Sequence, residues 1–340
     1  MTIRTIPMFD YAEILGRTLA PETLLETLRA YGYFYLSGLD AAVPPRLFKS
    51  LKENAETFFA SPMGAKLEYY IGHSSNHRGY VPTSEKGAYS DETARVYEAF
   101  DIGHDVAWPG ARDGRDYRLI GPNRYPTHVP GMAETLEAYY AANFRIGTQI
   151  LRLIARGSRL AEDHFDRYTT RPASQLRMIH YLPNDVVVGA DDVSMGAHTD
   201  YELFTIIHQA SPGLAAFDRK TQTWGAMPVF KNTLLVLAGD MLEFLTGGVV
   251  RALLHRVVST GEERYSFPFF MNLDFETEVS ILPVYGKSEQ RVVVGQHLLG
   301  RLCRDFPYLR ARIDEGRWRI DFDLQGQEFQ IPGQERRAQS

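Results

Sequence analysis

The chain has 340 residues with 44% hydrophobic and 12% aromatic side chains, which excludes a disordered or collagen-like protein and supplies material for a sizeable core. With 37 Lys and Arg against 42 Asp and Glu, its formal charge of −5 gives no electrostatic reason to expect nucleic-acid binding. Cys303 is the only cysteine, which excludes an intrachain disulfide and CxxC-type zinc or redox motifs.

The opening residues carry no apolar run with a cleavage site, and no stretch approaches the roughly 20 apolar residues of a membrane span. A soluble, cytoplasmic protein is expected, with no membrane partner. Ile6-Pro7-Met8-Phe9 reads as a short extended segment. Pro21 opens a helix that presents Leu24, Leu25, Leu28 and Tyr31 on one side, and Gly32 ends it. Tyr33-Phe34-Tyr35-Leu36 is a β-prone run closed by Ser37-Gly38. A second helix is predicted from Pro45 to Phe59. The region from Ile71 to Asp101 reads as loop with one strand near Val96–Phe100.

A long helix is predicted from Gly131 to Arg156, with Leu136, Tyr140, Phe144, Ile150, Leu151 and Ile154 on its apolar side. After Pro172 the pattern changes to short β-rich runs bounded by turns: Gln175–Tyr181, Met195–His198, Phe204–Gln209, Leu214–Phe217, Thr223–Met227, Leu234–Ala238, Arg256–Ser259 and Tyr265–Asn272. Such a series suggests a double-sheet jelly roll or barrel rather than βαβ units. A helix follows from Gly295, then a polar tail.

Within these runs one constellation stands out. His198 and Asp200, two apart on an extended chain, share a face and can reach one ion. His255, in Leu253-Leu254-His255-Arg256, supplies a third ligand beside another strand. Two histidines and one carboxylate suit non-haem Fe(II) and leave coordination positions open. A His-x-Asp pair alone arises by chance. Arg264 and Ser266 change its weight, because alternate strand residues face together and a guanidinium with a hydroxyl receives a buried carboxylate well. An iron triad and a carboxylate clamp in one barrel imply a metal-chelating co-substrate with a second carboxylate, a description that 2-oxoglutarate fits.

In this order and spacing, His198-Thr199-Asp200, His255 and Arg264-x-Ser266 resemble the isopenicillin N synthase-like family of non-haem Fe(II)/2-oxoglutarate-dependent dioxygenases. Ile6-Pro7-x-x-Asp10, Tyr31 to Leu36, Arg78-Gly79-Tyr80, Gly239-Asp240 before a helix and Thr246-Gly247-Gly248 extend the resemblance to about residue 305. It implies a mainly β fold with flanking helices, a double-stranded β-helix (jelly roll) core and a helical N-terminal subdomain. The chain then divides into an N-terminal subdomain (1–110), a long helix plus catalytic core (111–305) and a C-terminal helix and tail (306–340). It also implies Fe(II) on His198, Asp200 and His255. 2-Oxoglutarate meets Arg264 and Ser266 through its distal carboxylate, and O2 is consumed. A small-molecule substrate is hydroxylated, desaturated or cyclised, with release of succinate and CO2. Oligomeric state is not legible.

Departures from the family pattern carry further expectations. His180-Tyr181-Leu182-Pro183 stands where many members have Asn-Tyr-Tyr-Pro, so Tyr181 and His180 are candidate co-substrate contacts, without the usual Asn and second Tyr. Tyr201-Glu202 replaces a frequent glycine at the second position. Glu202 either reads a cationic or hydrogen-bond-donating group of the substrate or faces solvent at a strand edge. Arg177 is an active-site residue or a surface salt-bridge partner. Phe270, Tyr201 and Tyr80 are candidate substrate walls or core packing. His208 reads as a packed strand residue, Asp240 as a turn residue and Cys303 as packing. The alternatives are a same-fold iron oxidase that consumes no 2-oxoglutarate, an ethylene-forming fragmentation of 2-oxoglutarate and a metal-free jelly-roll binding protein. A protein-modifying hydroxylase finds no support in any peptide groove.

Overall fold

A computed structural model describes residues 6–85, 96–107, 119–183 and 193–324. Its helices begin and end where local chemistry requires. Asp10 caps α1 (Tyr11–Leu15) in a capping box with Glu13. Pro21 occupies the first turn of α2 (Pro21–Tyr31), where its missing N–H costs nothing, and Gly32 stops the helix in a left-handed conformation with φ 76°. In α3 (Pro45–Phe59) the buried side chains are Phe48, Leu51, Ala55, Phe58 and Phe59, one stripe of an amphipathic helix. A short α4 (Met63–Leu67) follows. The 26-residue α5 (Met132–Gly157) buries Leu136, Tyr140, Ile150, Leu151 and Ile154.

These helices cover one face of an eight-stranded sheet. Its spatial order is β1 (Met8–Asp10), β2 (Tyr33–Ser37), β10 (Leu234–Ala238), β7 (Phe204–Gln209), β12 (Arg264–Met271), β5 (Gln175–Tyr181), β4 (Tyr97–Gly103) and β3 (Gly79–Val81). A second sheet of four strands runs β6 (Val193–His198), β11 (His255–Val258), β8 (Leu214–Asp218) and β9 (Thr223–Ala226). The β13 (Glu278–Val279) and β14 (Val292–Val293) pair stands apart. Sequence-distant strands pair side by side in both sheets, the arrangement of a jelly roll rather than of βαβ units.

Period-2 alternation divides the core in two. Phe34, Leu36, Phe100, Leu176, Met178, Ile206, Val236, Phe267 and Phe269 belong to one cluster with the buried side chains of α2, α3 and α5. Their strand neighbours Tyr35, Ala99, Ile179, Tyr181, Ile207, Leu235 and Leu237 belong to a second cluster. It also holds Met195, Leu214, Ala216 and Val257 of the smaller sheet. A ligand that is to meet both sheets must therefore enter the space between them.

The predicted elements from residue 175 to 272 agree with the observed strands to within two residues at each end. The region read as loop after Ile71 holds an additional strand, β3, which pairs antiparallel with β4. At three residues, Gly79-Tyr80-Val81 is too short to show a period, and its pairing with β4 decides its conformation. Short α4, α6 (Asp240–Leu245) and α8 (Pro307–Asp314), and the β13–β14 pair, complete the described elements beside α7 (Val294–Asp305).

On the helix-covered side of β4 and β5 lies a buried polar network. Lys66 Nζ donates to Glu98 Oε2 at 2.7 Å and to the Phe59 carbonyl at 3.0 Å. The Tyr80 hydroxyl donates to the same Glu98 oxygen at 2.5 Å. His180 Nδ1 meets Glu98 Oε1 at 3.0 Å, and its Nε2 meets Glu263 Oε1 at 2.9 Å. Burial pushes the Glu98 carboxyl up, but the bonds from His180, Lys66 and Tyr80 outweigh it and hold the group below its ordinary value. A depressed carboxyl stabilises the fold above its unfolded pKa of about 4.3 and loses that contribution as pH falls through the lower folded value. Lys66→Met is expected to lower stability by about 3 kcal/mol in urea denaturation at pH 7, because Glu98 is left buried without its cation. The double variant Lys66→Met/Glu98→Gln recovers most of that loss if the ion pair is its cause.

Candidate active site

The metal constellation assembles at the meeting of β6 and β11. These strands pair antiparallel with His198 opposite His255, so register alone brings the two imidazoles together, with ring centroids 4.2 Å apart. Asp200 follows two residues after His198, and its Oδ1 stands 3.8 Å from His198 Nε2 and 3.7 Å from His255 Nε2. One ligand atom from each of the three lies within 4.8 Å of the others, a group that could hold a metal ion.

Backbone and side chain orient each member. His198 Nδ1 is 2.7 Å from the Gly196 carbonyl, and His255 Nδ1 is 3.0 Å from the Leu253 carbonyl. A carbonyl accepts only from N–H, so both rings carry their proton on Nδ1 and turn the Nε2 lone pair toward Asp200. The Thr205 hydroxyl of β7 donates to Asp200 Oδ2, which leaves Oδ1 as the inward oxygen. The Asp200 carbonyl accepts from the Asp240 N–H at 2.8 Å, so the start of α6 holds the ligand loop.

Arg264 and Ser266 share a face of β12 and line the same cavity as the triad. Arg264 is 3% exposed, its Nε donates to the Ser211 carbonyl at 3.3 Å, and its guanidinium lies 4.5 Å from the Tyr181 ring centroid. Its Nη1 is buried with no hydrogen-bond partner. A buried guanidinium nitrogen without an acceptor is costly unless an anion meets it, so the donor set fits the carboxylate of a bound co-substrate. Gly213 makes room for this arginine. It has φ +135°, and a Cβ there would lie 3.0 Å from Arg264 Nε.

Of the other expected residues, Tyr181, Arg177, Tyr201, Glu202 and Phe270 line the cavity. Arg177 holds Asp101 in a two-pronged pair, Nε to Oδ1 and Nη2 to Oδ2, both at 2.7 Å, and Asp101 is almost wholly buried. Arg177 lines the pocket and the pair is not a surface one. Glu202 is 4% exposed, so it faces inward and not solvent. Its carboxyl is pushed up to about 8, by burial first and by the neighbouring Asp200 charge second, against bonds from the Glu202 and Tyr201 backbone. Residues 201–203 form a bend, so the turn and not strand parity directs it inward.

Two expectations are corrected. His180 does not reach the cavity, because it alternates with Tyr181 on β5 and points to the opposite face, into the Glu98 network and against Tyr265 at 4.8 Å. Tyr80 likewise packs in the helix-side core and donates to Glu98, so it is not a wall of the pocket. The His180 error is one of parity, since adjacent residues of a strand cannot share one ligand, whereas Tyr80 is placed by the pairing of β3 with β4.

The structure adds residues that sequence reasoning missed. Gln175 and Ile179 line the cavity in the same alternation as Arg177 and Tyr181 and were legible from the parity of β5. Leu302, Asp305 and Phe306, at the end of α7, close it from another side. The Tyr201 hydroxyl donates to Asp305 Oδ2 at 2.5 Å and ties α7 to the ligand loop. Burial pushes Asp305 up to about 6, partly offset by the Tyr201 bond and by Arg177. Nothing in a lone Asp on a helix announces this contact. His208 stacks on Phe48 at 4.1 Å, and Asp240 begins α6 and binds Arg301 at 3.2 Å, so neither joins the metal group.

Two regions of the chain match family profiles: residues 6–128 match the non-haem dioxygenase N-terminal region known from morphine synthesis, and residues 172–273 match the 2OG-Fe(II) oxygenase superfamily. Kihadalactone A synthase LFS of Citrus sinensis is 31% identical over 79% of this chain and 83% of its own length. The 2-oxoglutarate-dependent dioxygenase tropC of Talaromyces stipitatus is 27% identical over 88% of this chain and 94% of its own. Among solved structures, a full-length Neurospora crassa protein in complex with 2-oxoglutarate and thymine superposes with a TM-score of 0.76 at 22% identity, covering 88% of this chain and 96% of that one. The chain belongs to the 2OG-Fe(II) oxygenase superfamily. It is a 2-oxoglutarate-dependent dioxygenase that uses Fe(II), 2-oxoglutarate and O2 on a small molecule. No helix of the described residues is long and apolar enough to cross a membrane.

The ligand loop has little slack. A Cβ at Gly239 would lie 2.2 Å from the Glu202 carbonyl oxygen and 3.2 Å from that of Asp200. Gly239→Ala is therefore expected to push the loop off the β10–α6 junction and cost about 1–3 kcal/mol in thermal or urea unfolding. An unchanged midpoint would show that the loop can yield without cost.

Proposed function

We propose that His198, Asp200 and His255 are the three protein ligands of the ferrous ion, and that Arg264 and Ser266 take the distal carboxylate of 2-oxoglutarate. One observation carries this assignment: the three converging ligand atoms and the unpartnered Arg264 Nη1 open onto a single cavity. When bound, the ion and 2-oxoglutarate supply the oxidising chemistry through decarboxylation of the co-substrate to succinate and CO2. The protein's own residues position and exclude. Arg264 and Ser266 fix one end of the co-substrate, so its other end has a single reach toward the ion. The Tyr181 ring beneath Arg264 supports the guanidinium and keeps water from its face.

Thr205 keeps one Asp200 oxygen occupied and so holds the carboxylate to one inward oxygen. The substrate then lies between the ion and the wall formed by Arg177, Tyr201, Glu202 and Phe270. The Neurospora crassa relative is described with thymine bound, which supports the reading of that wall as the seat of a compact organic molecule.

The test is anaerobic. Fe(II) is added to apo-protein, then 2-oxoglutarate, and the visible absorption of the chelate is followed. A band is expected, absent in His255→Ala and requiring more 2-oxoglutarate in Arg264→Ala. A band indifferent to Arg264→Ala would overturn the clamp, and full iron retention in His255→Ala would overturn the ligand set. Iron binding with no band at all would favour the oxidase that consumes no 2-oxoglutarate. Thr205→Val is expected to weaken Fe(II) binding about tenfold or more while Thr205→Ser retains it, read by metal titration without turnover.

A further inference from the structure

The cavity is divided electrostatically. Given the ligand set and clamp proposed above, on which this inference rests, the charges at one end cancel. Asp200 and the two carboxylates of 2-oxoglutarate offset the ferrous ion and Arg264. Arg177 is already met by Asp101 through two bonds. Of the two acidic side chains of the wall, Glu202 and Asp305, the second has partners. Asp305 Oδ2 accepts the Tyr201 hydroxyl, and arginines of the same helix lie near it.

Glu202 is different. It is 4% exposed, and among the described residues no side chain bonds its carboxyl; only the N–H groups of Tyr201 and of Glu202 itself turn toward it. It is not a fourth metal ligand, because the converging group comprises His198, Asp200 and His255 alone among the described residues. A buried carboxyl that no side chain satisfies is open to the hydrogen-bond donors of a ligand, and a cationic donor makes the stronger bond to it. Phe270 lines the same cavity and supplies an aromatic side chain, a type of group that favours a cation over an anion.

We propose that Glu202 forms a subsite for a small organic cation, so that the substrate carries a protonated amine or a guanidinium and docks it on this carboxyl. A substrate whose recognised group is a carboxylate or phosphate is disfavoured beside Glu202.

The experiment uses the full chain loaded anaerobically with Fe(II) and 2-oxoglutarate, with calorimetry as the readout and two isosteric probe pairs: phenylguanidine against phenylurea, and benzylamine against benzyl alcohol. Each cation is expected to bind about tenfold or more tightly than its neutral partner, as a charged hydrogen bond predicts. Glu202→Gln is expected to erase that preference while the 2-oxoglutarate band stays as in the parent chain. Equal affinities within each pair, preference for the neutral member, or no binding of either cation would overturn the subsite. A preference that survives in both Glu202→Gln and Glu202→Ala would overturn the role of Glu202. Failure of the metal–ligand reading shows itself separately, as loss of the 2-oxoglutarate band in the parent chain before any probe is added.

Discussion

Everything in this site depends on the alternation of side chains across one large sheet. Along β5 the even-numbered residues Leu176, Met178 and His180 go to the helices, and the odd-numbered Gln175, Arg177, Ile179 and Tyr181 go to the cavity. β12 obeys the same rule, sending Tyr265, Phe267 and Phe269 one way and Arg264, Ser266, Pro268 and Phe270 the other. A one-residue slip of β12 would put Arg264 among the helices and Glu263 or Tyr265 in its place. The dense apolar packing of α2, α3 and α5 on the even face of β5 therefore does more than stabilise. It fixes the register that aims Arg264, and the buried Glu98 network adds directional bonds that an apolar core cannot supply.

Electrostatics then follow from which residues the alternation delivers. The cavity receives a guanidinium and a hydroxyl from β12, and carboxyls from the bend at 201–203 and from the end of α7. Burial on both sides keeps water from screening either group, so each end discriminates by charge more strongly than an exposed site would.

The parts of this arrangement that were legible in the sequence are those set by short-range rules. His198 and Asp200 two apart, and Arg264 and Ser266 two apart, share a face on any strand, and Pro21, Gly32 and Gln175–Tyr181 bound their elements with local signals. What was not legible depended on contacts between distant segments. His180 went to the wrong face because its neighbour Tyr181 suggested a common role, although parity alone forbade it. Glu202 owes its burial to a bend held by the Gly239 junction, which no window of sequence around it contains. Asp305 enters the site only because α7 ends against Tyr201, a meeting of residues about a hundred positions apart.

The metal-binding group and the substrate wall also differ in how they are held. His198 and His255 are each oriented by a backbone carbonyl two residues earlier in the chain, and the Asp200 carbonyl is held by a backbone N–H. Backbone partners persist whatever side chains occupy the neighbouring positions, so the two imidazoles keep their orientation through most substitutions, whereas the Asp200 carboxylate depends on the Thr205 hydroxyl. The wall is held by side chains instead: Tyr201 on Asp305 and Arg177 on Asp101. Those contacts change with single substitutions. A fold built this way can retain its metal-binding group while the side chains that line the cavity are exchanged around it.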